Sequence, residues 1–330
     1  MAICTPRSTI GTAAAGSAIS TVYSYNSFTL DPERAESIPG QQFAGRPFAS
    51  SDRPGGRWAE FSATTDLRAA SAATTHPEKA LIMACGFGYA SGPVFTLGDP
   101  HFTTGDAYVG DTVAADIEID VDGDGTTASS SWQNIVKTWV GGLEIMFEGG
   151  QIPQITFSGE GLLNASVVTT PSLQNTIADV WAATSVTTSP ATVRWYPGGV
   201  SATNSLFTAA NMKSLRFATN PRIARRRALS SAIQGFLAPQ LIGFAPVFEV
   251  LVEVPAISTT TNPKPAFLLG TLGTVAVSHE FSTGNTFTLA GTSLQIAELP
   301  AAEDVDGILC QRVICKPTKA SGITMTWAFV

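Results

Sequence analysis

Three aspartates separated by glycine are the residues of this sequence whose spacing most resembles a metal site. Asp120, Asp122 and Asp124 have the spacing that opens an EF-hand calcium loop, in which alternate carboxylates bind the ion. The twelfth loop position is Ser131, where calcium binding requires a bidentate glutamate, and a strand pattern rather than a helix precedes the loop. The sequence therefore favours a solvated hairpin tip, with calcium binding as the alternative.

Histidine and cysteine offer little further chemistry. His76, His101 and His279 have no serine, cysteine or acidic partner at a motif spacing, and no nucleophile elbow, zinc-protease, P-loop or dinucleotide-binding motif occurs. The four cysteines form no CxxC pair, and Cys310 and Cys315 are expected on opposite faces of one strand. We expect reduced thiols, no metal or cofactor, and no catalytic residues. A hydrolase whose acid pair meets only in the fold is the remaining enzymatic alternative.

A basic run, Arg225-Arg226-Arg227 with Arg222 nearby, could contact phosphate. The chain carries a net charge of -7 and has a pI of about 5.0, whereas binding to nucleic acid requires basic surface that neutralises phosphate. The run is therefore interpreted as a basic turn that is solvated or pairs with acids of a neighbouring subunit.

The composition favours many short strands joined by turns. Charged residues make up 14% of the chain, against about 25% in an average soluble domain, and apolar residues make up 44%. The most apolar window, Phe236–Val254, contains Pro239, Pro246 and two glutamates, so it is not expected to cross a membrane. The first residues do not have the pattern of a signal peptide.

Alternating apolar and polar residues predict the strands that position these side chains. Val113–Val121 places Asp116, Glu118 and Asp120 on one polar face. Further strands are predicted over Trp58–Leu67, Lys137–Phe147 with a bulge at Gly141-Gly142, Ile152–Gly159, Val247–Ile257, Val275–Phe281, Phe287–Glu298, Ile308–Cys315 and Ile323–Val330. Proline and glycine predict a long projecting loop over residues 31–57, and the first 30 residues an arm or edge strand.

Two stretches about 186 residues apart share one layout. Each has a short apolar helix led by Pro77 or Pro263, and each helix is preceded by an apolar run with a central acid, Glu60 or Glu249. Strand-like segments follow both helices, which indicates a duplication. The sequence predicts a mainly β chain with two similar β-sandwich or barrel-like domains, each with one short flanking α-helix. The predicted units are residues 1–165, a connector over 166–210, and residues 211–330.

Four segments together carry a likeness to one family, and they lie within residues 40–316. They are Pro54–Arg57 before a strand, the helix and stop at His76–Gly86, the strand Gly150–Gly159, and Met212–Phe217 followed by Val247–Val250. In these segments the chain resembles the tail tube protein, or major tail protein, of long-tailed bacteriophages.

The resemblance implies a structural subunit that self-assembles into stacked rings, which form the hollow tail tube through which DNA passes during ejection. Each subunit would add strands to a barrel around the channel, while the long loop and terminal arms would reach neighbouring rings. A duplicated chain implies a trimeric ring with pseudo-sixfold symmetry, with a hexamer as the alternative. The implied partners are further copies, tape-measure and tail-terminator proteins, and double-stranded DNA that passes without specific binding. The implied location is the virion, after synthesis in the host bacterial cytoplasm, with no cofactor and no membrane. Asp116, Glu118 and Asp120 are the candidate lumen-facing residues.

Two other classes of protein fit the same composition. Another virion structural protein, such as a tail terminator, adaptor or decoration protein, would share the β-rich sequence. A carbohydrate-binding β-sandwich could use Trp181, Trp195 and Tyr196 as a stacking platform, although these aromatics are equally expected in a core or an interface.

Overall fold

The computed structural model describes fifteen stretches of the chain. The described residues are 9–14, 21–24, 27–38, 53–67, 78–90, 94–98, 114–120, 132–149, 151–163, 194–197, 212–226, 237–254, 262–282, 285–319 and 322–328. They form nineteen β-strands and two short α-helices, so the chain is mainly β, as predicted.

The elements of the first half, in chain order, are β1 (Thr9–Ala14), β2 (Thr21–Ser24), β3 (Ser27–Ile38), β4 (Arg53–Asp66), α1 (Lys79–Ala84), β5 (Phe87–Ala90), β6 (Val94–Leu97), β7 (Ala115–Asp120), β8 (Trp132–Glu148) and β9 (Gln154–Leu163). The elements that follow are β10 (Arg194–Pro197), β11 (Met212–Ala218), β12 (Pro221–Ala224), β13 (Gln240–Phe244), β14 (Val247–Glu253), α2 (Pro263–Leu269), β15 (Leu272–Ser282), β16 (Asn285–Glu298), β17 (Glu303–Val305), β18 (Ile308–Pro317) and β19 (Ile323–Ala328). Each strand predicted from alternation has a counterpart among them.

The predicted loop over residues 31–57 is wrong at both ends. Residues 31–38 belong to β3 and residues 53–57 to β4, and the two strands pair with each other as far as Ile38 and Arg53. The register of this pair shifts between Asp31 and Arg34, around Pro32. A proline is tolerated in a strand at an edge or a bulge, because no ladder hydrogen bond is then lost there. Residues 39–52 lie outside the described part of the chain.

The two helices begin and end differently. In α2 the Asn262 side chain accepts a hydrogen bond from the Lys264 backbone, Pro263 occupies the first turn, and Gly270 ends the helix in the left-handed conformation. In α1 the first helical residue is Lys79, and Gly86 follows the helix with a φ of 88°. Pro77, the predicted start of α1, lies outside the described residues.

Antiparallel pairing connects seventeen of the strands into one extended sheet. In one part of it the strands lie in the order β2–β1–β7–β8–β9–β4–β3. In another part the order is β11–β14–β18–β16–β15–β10, with β17 beside β18. β19 pairs with β16 and with β6, which also pairs with β5. A separate hairpin consists of β12 and β13.

Two ladders join the first half of the chain to the second. β11 pairs with the end of β8, from Ser214 opposite Glu148 to Ala218 opposite Glu144, and β19 pairs with β6. The core also crosses this junction: the rings of Phe147 and Phe287 are stacked with centroids 6.3 Å apart. One hydrophobic cluster therefore contains buried residues of both halves. The boundaries predicted for two domains remain a prediction.

The bulge in β8 lies earlier than the paired glycines predicted. The register of β8 against β9 shifts between Lys137 and Val140, where Thr138 has a left-handed φ of 50°. Gly141 and Gly142 are in regular register, and glycine is needed for a different reason: a Cβ on Gly142 would collide with the ring of Pro221.

His279 on β15 makes the stability of the fold depend on pH. This histidine is buried, and the loss of solvent lowers the pKa of its imidazole from the ordinary value of about 6.5. Below about pH 6.5 the unfolded chain therefore binds more protons than the folded chain. The contribution of the buried, neutral His279 to stability is complete above that pH and is lost as the pH falls through the lowered pKa of the folded state.

We expect His279→Gln to lose less free energy of unfolding than the wild type between about pH 7 and pH 5. Urea denaturation at each pH measures this, and equal losses in both proteins would contradict it.

Candidate functional site

Most residues predicted to form sites lie where the structure gives no side-chain contact. Asp122 and Asp124 lie outside the described residues, and Asp116, Glu118 and Asp120 are described only by their backbone in β7. The same holds for the aromatic platform: Trp181 lies outside, and Trp195 and Tyr196 are described only as backbone of β10. Within the described ranges, no group of three histidines, cysteines or acids could hold a metal ion. The calcium, lumen and glycan-binding predictions therefore stay predictions.

Arg225 of the basic run binds acids of its own chain. Its guanidinium donates two hydrogen bonds to Glu160, of 2.8 and 2.5 Å, and lies 3.5 Å from a carboxylate oxygen of Glu60. It also stacks 4.2 Å above the ring of Trp58. Because Glu60 and Glu160 are opposite each other on β4 and β9, one arginine offsets the repulsion of two neighbouring acids. The acids that Arg225 contacts thus belong to its own chain, and pairing of the basic run with a neighbouring subunit stays a prediction.

Arg225 follows β12 and fixes the β12–β13 hairpin, which belongs to the second half, onto the first half. The ring of Phe244 occupies the space beside Gly86, so a side chain at Gly86 would collide with it. Met83 of α1 packs against a small buried cluster that includes Leu241 of β13 and Val140 of β8. The connection between β11 and β14 therefore covers the end of α1.

A row of alternating charges crosses five neighbouring strands, β8, β11, β14, β18 and β17. Arg216 contacts Glu144 at 2.7 Å and Glu249 at 3.2 Å, and Arg312 contacts Glu249 at 3.6 Å and Glu303 at 2.7 Å. The hydrogen bond to Glu144 is the main cause that raises the pKa of Arg216 above its usual range, so this guanidinium remains charged. The opposite face of β8, β11, β14 and β18 is buried, which leaves the charges on the solvent side.

The second helix carries an exposed apolar surface. Leu268 and Leu269 are 69% and 79% exposed, and Phe267 and Leu272 beside them are 36% and 43% exposed. Contiguous apolar side chains exposed in this way commonly mark an interaction surface, whereas single exposed leucines are ordinary. We call Phe267, Leu268, Leu269 and Leu272 the α2 patch.

The described thiols are buried and unpaired. Cys85, Cys310 and Cys315 are free cysteines, and burial raises the pKa of Cys315 to about 12 and that of Cys85 well above its usual range. Thiolate is the reactive form of cysteine, so these side chains behave as small apolar groups. Both Cys310 and Cys315 are inaccessible, although their odd spacing predicted opposite faces.

Sequence reasoning missed the α2 patch and the charge row for different reasons. Phe267, Leu268 and Leu269 are all apolar, so the sequence predicts a short apolar helix without showing which of its side chains are exposed. Arg216 and Arg312 show only as polar positions of alternating strands, and which acid lies opposite depends on pairing between distant segments. The repeat, which aligns Leu268 with Ile82, is the one feature of the sequence that allows the two helices to be compared residue by residue.

No protein-family model and no curated protein matches this chain. Among the described residues, neither helix is long and apolar enough to cross a membrane.

Removal of Arg225 tests whether the hairpin depends on this ion pair. Arg225→Ala leaves the Glu160 carboxylate, whose side chain is 11% exposed, without its partner, so we expect the free energy of unfolding to fall by about 1–3 kcal/mol. Arg222→Ala, on the same hairpin and exposed, is the matched control and should change it by less than about 0.5 kcal/mol. Chemical denaturation gives both values. Equal effects of the two substitutions would show that Arg225 contributes only charge.

Proposed function

We propose that the chain is a duplicated-domain tail tube protein of a long-tailed bacteriophage, a structural subunit that assembles into stacked rings. The observation that carries the proposal is that six strands of each half pair in one common order, and that an edge strand of the second half pairs with β8 of the first.

The common order supports duplication of a domain. In the first half, the strands β1, β3, β4, β7, β8 and β9 lie in the sheet as β1–β7–β8–β9–β4–β3. In the second half, β10, β11, β14, β15, β16 and β18 lie as β10–β15–β16–β18–β14–β11. Numbered by chain order, both halves have the arrangement 1-4-5-6-3-2. The helix also follows the third strand in both, which matches the repeat of Pro77 and Pro263 in sequence.

The pairing of β8 and of β16 supports sandwich-like or barrel-like halves, because each of these strands pairs with two different strands along one of its edges. Along one edge β8 pairs with β9, while its other edge is shared by β7 and β11. β16 pairs with β15 along one edge and shares its other edge between β19 and β18. Strands that pass from one sheet to another in this manner form the corners of sandwiches and barrels.

The junction between the halves offers a template for contacts between subunits. β11 pairs with Glu144–Glu148, the part of β8 that continues beyond its ladder with β7. The counterpart of β11 in the first half is β3, which pairs only with β4 among the described residues. The counterpart of the β8 extension is the end of β16, where Ile296–Glu298 continues beyond the ladder with β15. Pairing of β3 with this end of the next chain would satisfy a free strand edge.

Such a contact joins two different surfaces, head to tail, and contacts of that kind form closed rings or open stacks. If each contact between chains repeats the contact within a chain, every chain occupies two similar positions. Three chains would then form a ring of six positions, and a hexamer is the alternative.

The net charge of -7 suits a channel wall that double-stranded DNA passes without binding, and the lumen-facing residues we propose are Asp116, Glu118 and Asp120. The role needs no cofactor and no catalysis, and it places the protein in the virion beside tape-measure and terminator proteins.

Assembly of the purified chain tests this function directly. We expect rings of three chains that stack into tubes, counted by light scattering and by symmetry in negative-stain images. Single rings that never stack would instead indicate a terminator-like protein. A chain that stays monomeric at high concentration would overturn the proposal.

A further inference from the structure

Two strands, β3 and β17, each have one edge without a neighbouring strand among the described residues. There, β3 pairs only with β4, and β17 pairs only with β18. Such an edge presents backbone N–H and carbonyl groups with which a strand of another chain can pair. β3 belongs to the first half of the chain and β17 to the second, so a contact between them in two copies would join different surfaces, head to tail.

Strand β17 corresponds to the end of β8. Counted from the central acids of the repeat on β4 and β14, in ladders without a register shift, Thr156 of β9 corresponds to Cys310 of β18. Thr156 is opposite Glu144 of β8. Cys310 is opposite Glu303 of β17. Glu144 and Glu303 are therefore counterparts, and β17 corresponds to the segment of β8 that pairs with β11.

The end of β16 and β17 border β18 on the same side, opposite β14. The edge of β16 proposed above for the contact between chains therefore continues along β17.

Strand β3 corresponds to β11 by the same count. Asp31 and Arg216 are both opposite the central acid of the neighbouring strand, so they are counterparts. Beyond the register shift of β3, Arg34 is opposite the residue two positions before that acid, and Ala218 of β11 has the same relation to β14. In the ladder between β8 and β11, Ala218 lies opposite Glu144. Arg34 thus corresponds to the residue that lies opposite Glu144.

We infer that β3 pairs with β17 of a neighbouring copy, antiparallel and in the register that places Arg34 opposite Glu303. The inference rests on the proposed ring assembly and adds to it the docking strand, the register and an ion pair of the contact between chains. The template is the ladder between β8 and β11, which already joins the two halves of one chain through the counterpart strands.

The charges at the two junctions support this register. Within the chain, Arg216 of β11 contacts Glu144 across the junction at 2.7 Å. Glu303, the counterpart of Glu144, contacts Arg312 of its own chain and keeps 42% of its side chain exposed. The charge row begins at Glu144 and ends at Glu303, so Arg34 of the next copy would continue its alternation of sign from one chain to the next.

Paired cysteines test the register. Arg34→Cys with Glu303→Cys in one chain places two thiols opposite each other across the contact, where neighbouring strands are close enough for a disulfide. We expect mild oxidation of the assembled protein to give covalent oligomers on non-reducing gels, and neither single substitution to give them. Arg34→Cys with Glu298→Cys, five residues away on the same edge, is the matched control and should give less than about a tenth of that product.

Reversal of one charge tests the ion pair. Arg34→Glu places an acid opposite Glu303, and we expect the concentration needed for half-assembly to rise by at least about tenfold. Lys264→Glu makes the same change of charge at an exposed position of α2 and should assemble as the wild type. In a chain that also carries Glu303→Gln, the reversal should cost less than about threefold, because the acid that it repels is gone. An equal cost in both backgrounds would overturn the ion pair.

The outcomes distinguish this inference from the proposed function. Wild-type chains that remain monomeric would overturn both. Rings of the wild type, together with a crosslink through Glu298→Cys or through neither pair, would overturn the inference and leave the function standing. If Glu303→Cys unfolds the chain through loss of the contact with Arg312, Arg34→Glu decides the question, because it leaves that contact intact. Normal assembly of Arg34→Glu would then overturn the inference.

Discussion

The antiparallel ladder between β8 and β11 is the contact on which the arrangement of the two halves depends. It satisfies the backbone groups of two strand edges that would otherwise face solvent. Thr219 extends it, because its hydroxyl accepts a hydrogen bond of 3.0 Å from the Leu143 backbone and its own backbone N–H donates one of 3.0 Å to the Leu143 carbonyl. The hairpin that follows can approach β8 only because Gly142 has no side chain. The cover over α1 is a consequence of this approach.

At this junction one face of the strands provides most of the stabilisation, and the other face specifies the register in which the strands pair. The inner face buries Leu215, Phe217 and Phe248, with two of the rings 4.7 Å apart, and each fully buried side chain of this kind contributes about 1.5–3 kcal/mol. The outer face carries partly exposed ion pairs such as Arg216–Glu144, which contribute about 0–1 kcal/mol each. The apolar face therefore holds the halves together, whereas the alternating charges oppose a shift of register that would place like charges side by side.

Alternation in the sequence was sufficient to predict the class of fold and the longer strands β4, β7, β8, β9, β14, β15, β16, β18 and β19, because a half-buried strand must place its apolar residues at every second position. It did not predict β11 and β6, the two strands that join the halves of the chain. Pro263 predicted the start of α2, because proline fits the first turn of a helix. The loop over 31–57 was wrong because Pro32 lies at a register shift, which cannot be distinguished from a loop without the partner strand. The partners of Arg225 and the exposure of Leu268 depend on contacts between distant segments, and one sequence does not specify them.

The ladder between β6 and β19 has a consequence for the order of events during synthesis. Thr96 lies in the first half of the sequence and its partner Thr324 far along the second half, so β6 can form this ladder only after β19 has been synthesised. The ring of Trp327 on β19 also packs 5.5 Å from that of Phe95 on β6. Pairs so far apart in sequence close late, because the entropy of closing the long intervening loop must be offset by contacts that do not yet exist. A nascent first half would therefore lack this ladder, and the ring of Trp327 that packs beside Phe95, until β19 has been made.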